Sequence, residues 1–282
     1  MTIADFIKLS KEQLRLLYSE REIKAMAQIL LEHYGCFSST QIHAFPDADI
    51  KKDILHKLIP TLQELATGKP LQYAIGEAQF CNLHFEVNEH VLIPRPETEE
   101  LVYWASEALD VQTSLKVLDL CTGSGCIAIS LAKQFPKVDI SACDISSEAI
   151  AVARRNAEKN EVSVHFFEGD ILDLKSSYDL QYSLIVSNPP YVRQSERASM
   201  HKNVLGFEPA QALFVPGEDP LIFYRAIAIF AQQSLFPNGC VLVELNEAFG
   251  NETAKLFRDF EFSEVTLRKD INGKDRMLKA KK

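Results

Sequence analysis

A strand, a glycine turn and a helix follow one another near the middle of this 282-residue chain, and they restrict its fold more than any other feature. The sequence predicts a buried strand over Leu115 to Cys121, a tight turn over Thr122 to Gly125 and a helix over Cys126 to Ala132. Glycine lets a backbone approach a ligand closely, and the first turn of a helix offers free N–H groups and positive potential. We therefore predict that the turn binds a cofactor through Thr122, Gly123, Ser124 and Gly125.

Two later strands are predicted to lead to carboxylates. The strand from Val138 to Cys143 ends before Asp144, about 20 residues beyond the glycines, where a carboxylate is expected to accept both ribose hydroxyls. The strand from Val162 to Phe167 leads to Asp170 and Ile171, where a carboxylate and a backbone N–H can read an adenine edge. A solvent-exposed loop acid at Asp144 and a helix N-cap at Asp170 are the alternatives, and the spacing favours ligand contact.

The glycine turn alone does not define one reaction. Gly123, Gly125 and Ala128 also fit the fingerprint of nicotinamide-dinucleotide enzymes, so the turn indicates only that an adenosine group binds. A dinucleotide enzyme would need a second mononucleotide-binding half and a group that handles hydride. The chain instead supplies Asp170 and then an Asn-Pro-Pro-Tyr turn, so we expect S-adenosylmethionine as the cofactor.

The apolar run from Leu184 to Val186 is followed by Asn188, Pro189, Pro190 and Tyr191. Each proline fixes φ near about −65°, donates no N–H and favours an extended conformation in the residue before it. On such a stiff turn the side-chain carbonyl of Asn188 and the backbone carbonyls can accept both N–H groups of an amide or an exocyclic amine, while Tyr191 offers a flat face. We predict Asn188, Pro189 and Tyr191 as catalytic, all four residues as substrate-binding, and Asn188 also beside the cofactor. An ordinary proline-rich loop is the alternative.

The first 75 residues have helical periodicity throughout. Ser10 and Ser19 each begin a pattern typical of a capping box, and the segment from Asp49 to Ala66 carries its apolar residues on one stripe. We interpret residues 1–75 as a helical substrate-recognition domain.

Beyond residue 75 the periodicity changes twice. Alternating apolar residues predict a β-hairpin linker over residues 76–93 that turns at Asn88. From residue 94 to 282 strands and helices alternate, which predicts a mostly parallel, doubly wound α/β sheet. Near the end, Asn272 and Gly273 are a strong signal for a two-residue turn, so we expect an antiparallel final hairpin. The basic residues of this hairpin are typical of a solvent-exposed edge strand, and contact with an RNA-bound partner is the alternative.

Composition restricts the functions that this chain can have. A net charge of −9 and a pI near 5.4 argue against tight non-specific binding of nucleic acid. The six cysteines form no Cys-x-x-Cys pair, so we expect reduced thiols and no metal site. No apolar run is long enough to span a membrane and the N-terminus does not have the pattern of a signal peptide, so we expect a cytoplasmic protein with no membrane partner. We also expect a monomer.

Taken together, these motifs resemble the HemK/PrmC family, the glutamine methyltransferases that modify peptide chain release factors. The similarity covers nearly the whole chain, and it is carried by Ile93 to Glu99, Leu118 to Gly125, Ser187 to Tyr191, Phe207 to Pro209, and Asp270 to Arg276. Asn-Pro-Pro-Tyr is shared with adenine methyltransferases of DNA and RNA, whereas Pro-Arg-Pro-Glu-Thr beside a helical N-terminal part is more specific. Cys121 stands where the family usually has glycine, and Asn246 replaces the glycine of a usual Glu-x-Gly.

The resemblance implies a class I S-adenosylmethionine-dependent methyltransferase, which is Rossmann-like with a mostly parallel seven-stranded sheet. It adds Cys121 to the cofactor-binding residues. It also implies a substrate: the glutamine in the Gly-Gly-Gln motif of class 1 release factors, methylated on its side-chain amide nitrogen, with no direct nucleic-acid partner. An adenine amino-methyltransferase acting on DNA or RNA is the first alternative, and a non-catalytic adaptor that binds the cofactor is the second.

Overall fold

The computed structural model describes residues 1–109, 115–174 and 181–282, which divide into two compact units. The helical unit comprises Met1–Gly76 and His201–Phe207. The sheet unit comprises Glu77–Met200 and Glu208–Lys282. The segment His201–Phe207 therefore belongs to the helical unit, although in sequence it lies between two parts of the sheet unit.

The N-terminal part of the helical unit consists of helices, as its periodicity predicts. They are α1 (Ile3–Leu14), α2 (Glu20–Gly35), α3 (Ser39–Ala44), α4 (Lys52–Ala66) and α5 (Leu71–Ile75). Their apolar faces meet in one core, in which Phe6, Leu30 and Leu58 are fully buried. Helix α4 begins three residues later than predicted, because Asp49 forms an isolated antiparallel bridge with Thr2.

One of the two predicted capping boxes is confirmed and the other is wrong. The Ser19 hydroxyl accepts a hydrogen bond from the Glu22 backbone N–H at 3.4 Å, and the Glu22 carboxylate accepts one from the Ser19 N–H at 2.8 Å. Ser10 instead lies inside α1, where its hydroxyl donates to the carbonyl of Phe6 at 2.8 Å. The cap of α1 is Thr2, so the periodicity begins eight residues before the predicted box.

The sheet unit opens with an antiparallel hairpin of β1 (Glu77–Phe80) and β2 (Leu83–Glu86). Its turn lies at Cys81 and Asn82, both in the left-handed region with φ of 47° and 60°, so the predicted turn at Asn88 is wrong. Asn88 does form a turn, but after the hairpin, where its side chain accepts a hydrogen bond from the His90 N–H at 3.1 Å. A turn-forming asparagine therefore occurs on both sides of β2, and the first one closes the hairpin.

Apart from helix α9 (Lys202–Phe207), which belongs to the helical unit, the remaining elements form one sheet covered by helices. The strands are β3 (Lys116–Leu120), β4 (Asp139–Asp144), β5 (His165–Glu168), β6 (Tyr182–Ser187), β7 (Leu235–Glu244), β8 (Ser263–Lys269) and β9 (Asp275–Lys281). The helices are α6 (Pro96–Ser106), α7 (Cys126–Gln134), α8 (Ser147–Lys159), α9 (Lys202–Phe207, in the helical unit), α10 (Ala210–Leu213), α11 (Ile222–Ser234) and α12 (Gly250–Asp259). Among the described residues the strand order is β5-β4-β3-β6-β7-β9-β8.

In this sheet, strands β3 to β7 pair with one another in parallel, whereas β9 pairs antiparallel with both β7 and β8, as predicted. The final connection is longer than predicted. Lys269 pairs with Asp275, so five residues join the strands, and the Asp270 carboxylate organises them by accepting from the Asn272 and Lys274 N–H groups. Gly273 supplies a φ of +77° inside this loop.

The register of the parallel strands determines which residues meet at the carboxyl edge of the sheet. Leu120 of β3 lies opposite Cys143 of β4 on one side and opposite Ser187 of β6 on the other. The residues that come next are Cys121, Asp144 and Asn188. Three segments that are far apart in sequence therefore leave the sheet side by side, which is where α/β sheets bind ligands.

Residues 1–109, 115–174 and 181–282 contain no helix that is long and apolar enough to cross a membrane. Nor do these ranges bring together three or more His, Cys, Asp or Glu side chains in a group that could hold a metal ion. The six cysteines are free thiols, and Cys126, Cys143 and Cys240 are buried as small apolar side chains.

The two serines provide a matched test of the caps. Ser19→Ala is expected to lower the free energy of unfolding by about 1 kcal/mol, because a cap of α2 is lost. Ser10→Ala is expected to change it by less than about 0.5 kcal/mol, because the hydroxyl bonds a carbonyl within the helix and alanine favours the helix. Urea unfolding of both variants measures the difference, and equal losses would contradict the assignment of the caps.

Candidate active site

A cavity of about 640 Å³ opens at the carboxyl edge of the sheet, within the sheet unit. This volume lies within the range of about 300–1,000 Å³ that is usual for small-molecule sites. Its walls contain most of the site residues predicted from the sequence, namely Cys121, Thr122, Gly123, Ser124, Asp144, Asp170, Ile171, Asn188 and Pro190. Gly125, Pro189 and Tyr191 are not among the described residues that form these walls.

The two glycines of the turn have different tasks. Gly123 has a φ of +54°, and a Cβ atom added there would meet no heavy atom within 4 Å, so the missing side chain leaves room beside the cavity for a ligand. Gly125 directly precedes α7 with a φ of +81°, and a Cβ atom there would come within 2.8 Å of Ile129 and 3.1 Å of Ala153. The first glycine therefore permits ligand approach and the second permits close packing of α7 against α8.

Asp144 faces the cavity from the end of β4 and is tied to the glycine turn. Its carboxylate accepts hydrogen bonds from the backbone N–H groups of Gly123 at 2.8 Å and Ser146 at 3.0 Å. Burial raises the pKa of this carboxyl above its usual value. Asp170 is held in a similar manner, because its Oδ1 accepts from the Leu172 N–H at 2.9 Å. An acceptor at each of these positions suits the hydroxyl and amine groups of an adenosine.

A buried carboxylate that was not predicted from the sequence holds the glycine turn through hydrogen bonds. Asp119 lies in β3, and its Oδ2 accepts from the Thr122 hydroxyl at 2.6 Å and from the Ala128 N–H at 3.2 Å. Its Oδ1 has no hydrogen-bond partner among the described residues. Burial raises its pKa to about 7. The signal for this residue was an acid inside the otherwise apolar run of a buried strand.

The Asn-Pro-Pro-Tyr turn follows β6 as predicted, and its two ends face different surroundings. Asn188 lines the cavity, and its Nδ2 donates to the Thr98 hydroxyl at 3.1 Å. Tyr191 packs against the apolar core of the sheet unit, and its hydroxyl donates to Glu244 Oε1 at 3.0 Å. The tyrosine ring therefore lies away from the cavity wall where the sequence analysis expected its flat face.

Thr98 and Glu244 complete a hydrogen-bonded chain that the sequence analysis also missed. The Thr98 hydroxyl donates to Glu244 Oε2 at 2.7 Å. Hydrogen bonds therefore run from Asn188 to Thr98, from Thr98 to Glu244, and from Tyr191 to Glu244. Glu244 is 1% exposed, and its burial raises the pKa of its carboxyl. Glu244 is the last residue of β7 and follows an apolar run, as Asp119 lies within one, and an acid in such a run was the available signal.

Arg95 lines the cavity, and its charge is balanced from within the sheet unit. Its Nη2 donates to the carboxylate of Glu208 at 2.6 Å, and the Glu208 side chain is 1% exposed. The other Glu208 oxygen accepts from the Ile93 N–H at 3.4 Å. This ion pair joins the segment before α6 to the segment before α10, so it closes one side of the cavity.

The two positions where the chain departs from the motif pattern differ in backbone conformation. Cys121 has a φ of +60°, a conformation that glycine adopts without strain and cysteine does not. Asn246 has an ordinary φ of −68° and therefore does not require glycine. Its side-chain amide donates to the Tyr191 carbonyl at 3.2 Å, so asparagine braces the Asn-Pro-Pro-Tyr turn in this protein.

Comparison with solved structures defines the class. A methyltransferase from Pyrococcus furiosus aligns over 82% of this chain and 98% of its own, with a TM-score of 0.53 and 18% identity. The 16S rRNA N2 G1207 methyltransferase of T. thermophilus, solved with AdoMet and guanosine, aligns over 73% of this chain and 49% of its own, with a TM-score of 0.51 and 16% identity. Residues 105–229 match the family model "Methyltransferase small domain". The protein has the fold of a class I S-adenosylmethionine-dependent methyltransferase, and S-adenosylmethionine is its cofactor.

Curated relatives define the family. The release factor glutamine methyltransferase of Flavobacterium psychrophilum is 44% identical, with 93% of both chains covered. That of Bacteroides thetaiotaomicron is 40% identical over 96% of both chains, and that of Bacillus subtilis is 36% identical over 89% of both. Identity at this level over nearly the full length shows that the chain belongs to the release factor glutamine methyltransferase family.

The conformation of Cys121 gives a test of the glycine turn. Cys121→Val is expected to be less stable than Cys121→Gly by about 1–2 kcal/mol, because a β-branched residue is strained at positive φ and glycine is not. Urea unfolding midpoints of the two variants measure this difference. Equal stability, or greater stability of the valine variant, would show that residue 121 does not adopt the left-handed conformation in solution.

Proposed function

We propose that this protein transfers the methyl group of S-adenosylmethionine to the side-chain amide nitrogen of the glutamine in the Gly-Gly-Gln motif of class 1 peptide chain release factors. The observation that carries the proposal is the position of Asn188 in the wall of the same cavity as the glycine turn and Asp144. An acceptor for an amide N–H and the adenosine-binding groups therefore border one space. The names of the relatives support the choice of substrate.

The chemical difficulty is that an amide nitrogen is a poor nucleophile, because its lone pair is delocalised into the carbonyl. S-adenosylmethionine supplies an electrophilic methyl group on a sulfonium centre. The chain would hold this cofactor through residues 121–124, the Asp144 carboxylate on the ribose, and Asp170 with the Ile171 N–H on the adenine. The protein's task is then to orient the glutamine.

Asn188 and the Asn-Pro-Pro-Tyr turn are proposed to perform this orientation. Asn188 Oδ1 and the Pro189 backbone carbonyl would each accept one N–H of the glutamine amide. Two such acceptors direct the nitrogen lone pair out of the amide plane and stabilise the partial positive charge that develops on nitrogen. Pro190 lines the same wall and Tyr191 anchors the far end of the turn through Glu244. The transfer first gives an N-methylated amide cation, and this cation loses its extra proton readily, so no strong base is required.

The charges around the cavity favour a protein substrate over DNA or RNA. Among the described residues, the carboxylates that line it belong to Glu89, Asp144, Glu148 and Asp170. Arg95 also lines it, but this guanidinium is paired with the buried Glu208. A cavity rich in carboxylates repels a phosphate backbone, which would instead require unpaired basic side chains.

The helical unit is proposed to recognise the release factor. It carries exposed apolar side chains just after two of its helices, namely Leu16 after α1 and Phe45 after α3, which are 89% and 62% exposed. We propose that the protein acts as a monomer in the cytoplasm. Residues 1–75 would then form the substrate-recognition domain, residues 76–93 the hairpin linker and residues 94–282 the methyltransferase domain.

A labelling experiment tests the substrate. The protein is incubated with methyl-labelled S-adenosylmethionine and a class 1 release factor, or with the same factor carrying Gly-Gly-Ala. Label is expected on the first and not on the second, because only glutamine offers the side-chain amide. Label on both factors would contradict the assigned position. Label on added DNA or RNA, with none on the factor, would support the adenine amino-methyltransferase instead.

Two substitutions separate the proposed roles of Asn188 and Asp144. Asn188→Ala is expected to retain S-adenosylmethionine binding and to lose methyl transfer, because it removes the acceptor for the substrate and leaves the glycine turn, Asp144 and Asp170 in place. Asp144→Ala is expected to weaken cofactor binding by about 1–3 kcal/mol, because hydrogen bonds to a charged group are lost. Calorimetric titration measures affinity and the labelling assay measures transfer. Full transfer by Asn188→Ala, or unchanged affinity in Asp144→Ala, would contradict the respective role.

A further inference from the structure

We propose that Thr98 is a positioning residue which, held by Glu244, fixes the orientation of the Asn188 amide so that Oδ1 and not Nδ2 faces the cavity. The inference rests on the proposed function, since an acceptor is needed there only if the substrate presents an amide or amine N–H. It assigns a task in the reaction to two buried residues, neither of which belongs to the Asn-Pro-Pro-Tyr turn.

An asparagine side chain can occupy almost the same space in two orientations. The oxygen and nitrogen of its amide have nearly the same size, and rotation by a half turn exchanges an acceptor for a donor. With Oδ1 toward the cavity, Asn188 binds the N–H of a glutamine. With Nδ2 toward the cavity, the NH₂ group of Asn188 faces the N–H of the glutamine, and two donors repel each other. The turn fixes the backbone of Asn188, but it does not choose between these two orientations.

Glu244 determines where the hydroxyl proton of Thr98 lies. Its two oxygens face the hydroxyls of Thr98 and Tyr191 at 2.7 and 3.0 Å. Burial raises the pKa of the Glu244 carboxyl, but the hydrogen bonds from Thr98 and Tyr191 and the charge of Arg276 act in the opposite direction and favour its ionised form. An ionised carboxylate has only acceptors, and a buried one requires donors. Burial, followed by the charge of Glu244, raises the pKa of Tyr191, so this hydroxyl retains its proton and donates. The second donor is therefore the single hydroxyl proton of Thr98.

The oxygen of Thr98 in turn determines which end of the Asn188 amide contacts it. Because the hydroxyl proton is directed to Glu244, Thr98 Oγ1 can only accept from its other neighbour. The group that contacts it at 3.1 Å must then be the donating end of Asn188, Nδ2. The accepting end, Oδ1, remains for the cavity that Asn188 lines. Burial of Thr98, which is 2% exposed, keeps water from replacing these partners.

The Glu244→Gln variant distinguishes an effect on the orientation of the Asn188 amide from an effect on the stability of the fold. A glutamine at this position has the same shape, and its oxygen can accept from Tyr191 while its NH₂ donates to Thr98. The Thr98 hydroxyl is then free to donate to Asn188, which satisfies every group with Nδ2 turned toward the cavity. A fully hydrogen-bonded and folded protein would thus lose the acceptor that the substrate needs. A merely structural role for Glu244 predicts that such a stable variant stays active.

The kinetic test compares wild type, Thr98→Val, Thr98→Ser and Glu244→Gln, with labelled S-adenosylmethionine and the release factor. The value of kcat is expected to fall about 10- to 100-fold in Thr98→Val and in Glu244→Gln. The KM for the release factor and the Kd for the cofactor are expected to change by less than about threefold, because the affected acceptor acts on one substrate nitrogen. Thr98→Ser retains the hydroxyl and is expected to restore most of the activity.

A matched control and a second readout complete the test. Thr253→Val replaces another fully buried threonine, in α12, whose hydroxyl donates to the Phe249 carbonyl, and it is expected to leave kcat unchanged. Hydrogen exchange of the Asn188 side-chain NH₂, followed by NMR and identified by its loss in Asn188→Ala, reports orientation without any reaction. Slow exchange is expected in wild type, and exchange at least about tenfold faster in Thr98→Val and Glu244→Gln.

The outcomes separate this inference from the proposed function. Full kcat in Thr98→Val, or full kcat with slow exchange in Glu244→Gln, would overturn the role of Thr98. Failure of Thr98→Ser to recover activity would do the same, because the hydroxyl would not be the relevant group. If wild type did not methylate the release factor, the proposed function would fail, and the exchange measurement would still decide the orientation of Asn188.

Discussion

The active site depends on the parallel register of β3, β4 and β6. Because Leu120, Cys143 and Ser187 lie side by side in this sheet, the residues that follow them must leave it at the same edge. One of these segments is the glycine turn, one carries the acid Asp144 and one is the Asn-Pro-Pro-Tyr turn. A cofactor site and an acceptor for an amide are thereby brought to one cavity by backbone hydrogen bonds alone. The chemistry of the site follows from which side chains occupy that edge.

Buried carboxylates then determine how this edge is held. Asp119 binds the Thr122 hydroxyl and the first turn of α7, while Glu244 binds the hydroxyls of Thr98 and Tyr191. Each carboxylate lies inside the protein, where an unmatched acceptor is costly, so its donors are fixed in position. Asp119 thus stabilises the cofactor side of the cavity and Glu244 the substrate side. Both acids act through neighbours, and neither lies in the cavity wall.

The sequence was sufficient for features that depend on local spacing. The strand, glycine turn and helix around Gly123 follow from residue type and spacing, as do the capping box at Ser19 and the antiparallel final strands, although the same spacing at Ser10 forms no box. Features that depend on partners distant in sequence were not predictable in this way. The pairing of Thr98 with Glu244 joins residues 146 positions apart, and the turn of the first hairpin lies at Asn82 although Asn88 offers an equally good turn residue. In both cases tertiary contacts decide between local possibilities.

The most direct test of the central claim is a crystal structure of the protein with S-adenosylhomocysteine and a peptide that contains Gly-Gly-Gln. We expect the glutamine nitrogen inside the cavity, about 2.9 Å from Asn188 Oδ1, with the cofactor sulfur on the open face of the amide. We also expect the ribose hydroxyls on Asp144. A glutamine bound outside the cavity, or an Asn188 side chain turned away from an occupied cofactor site, would refute the proposed arrangement.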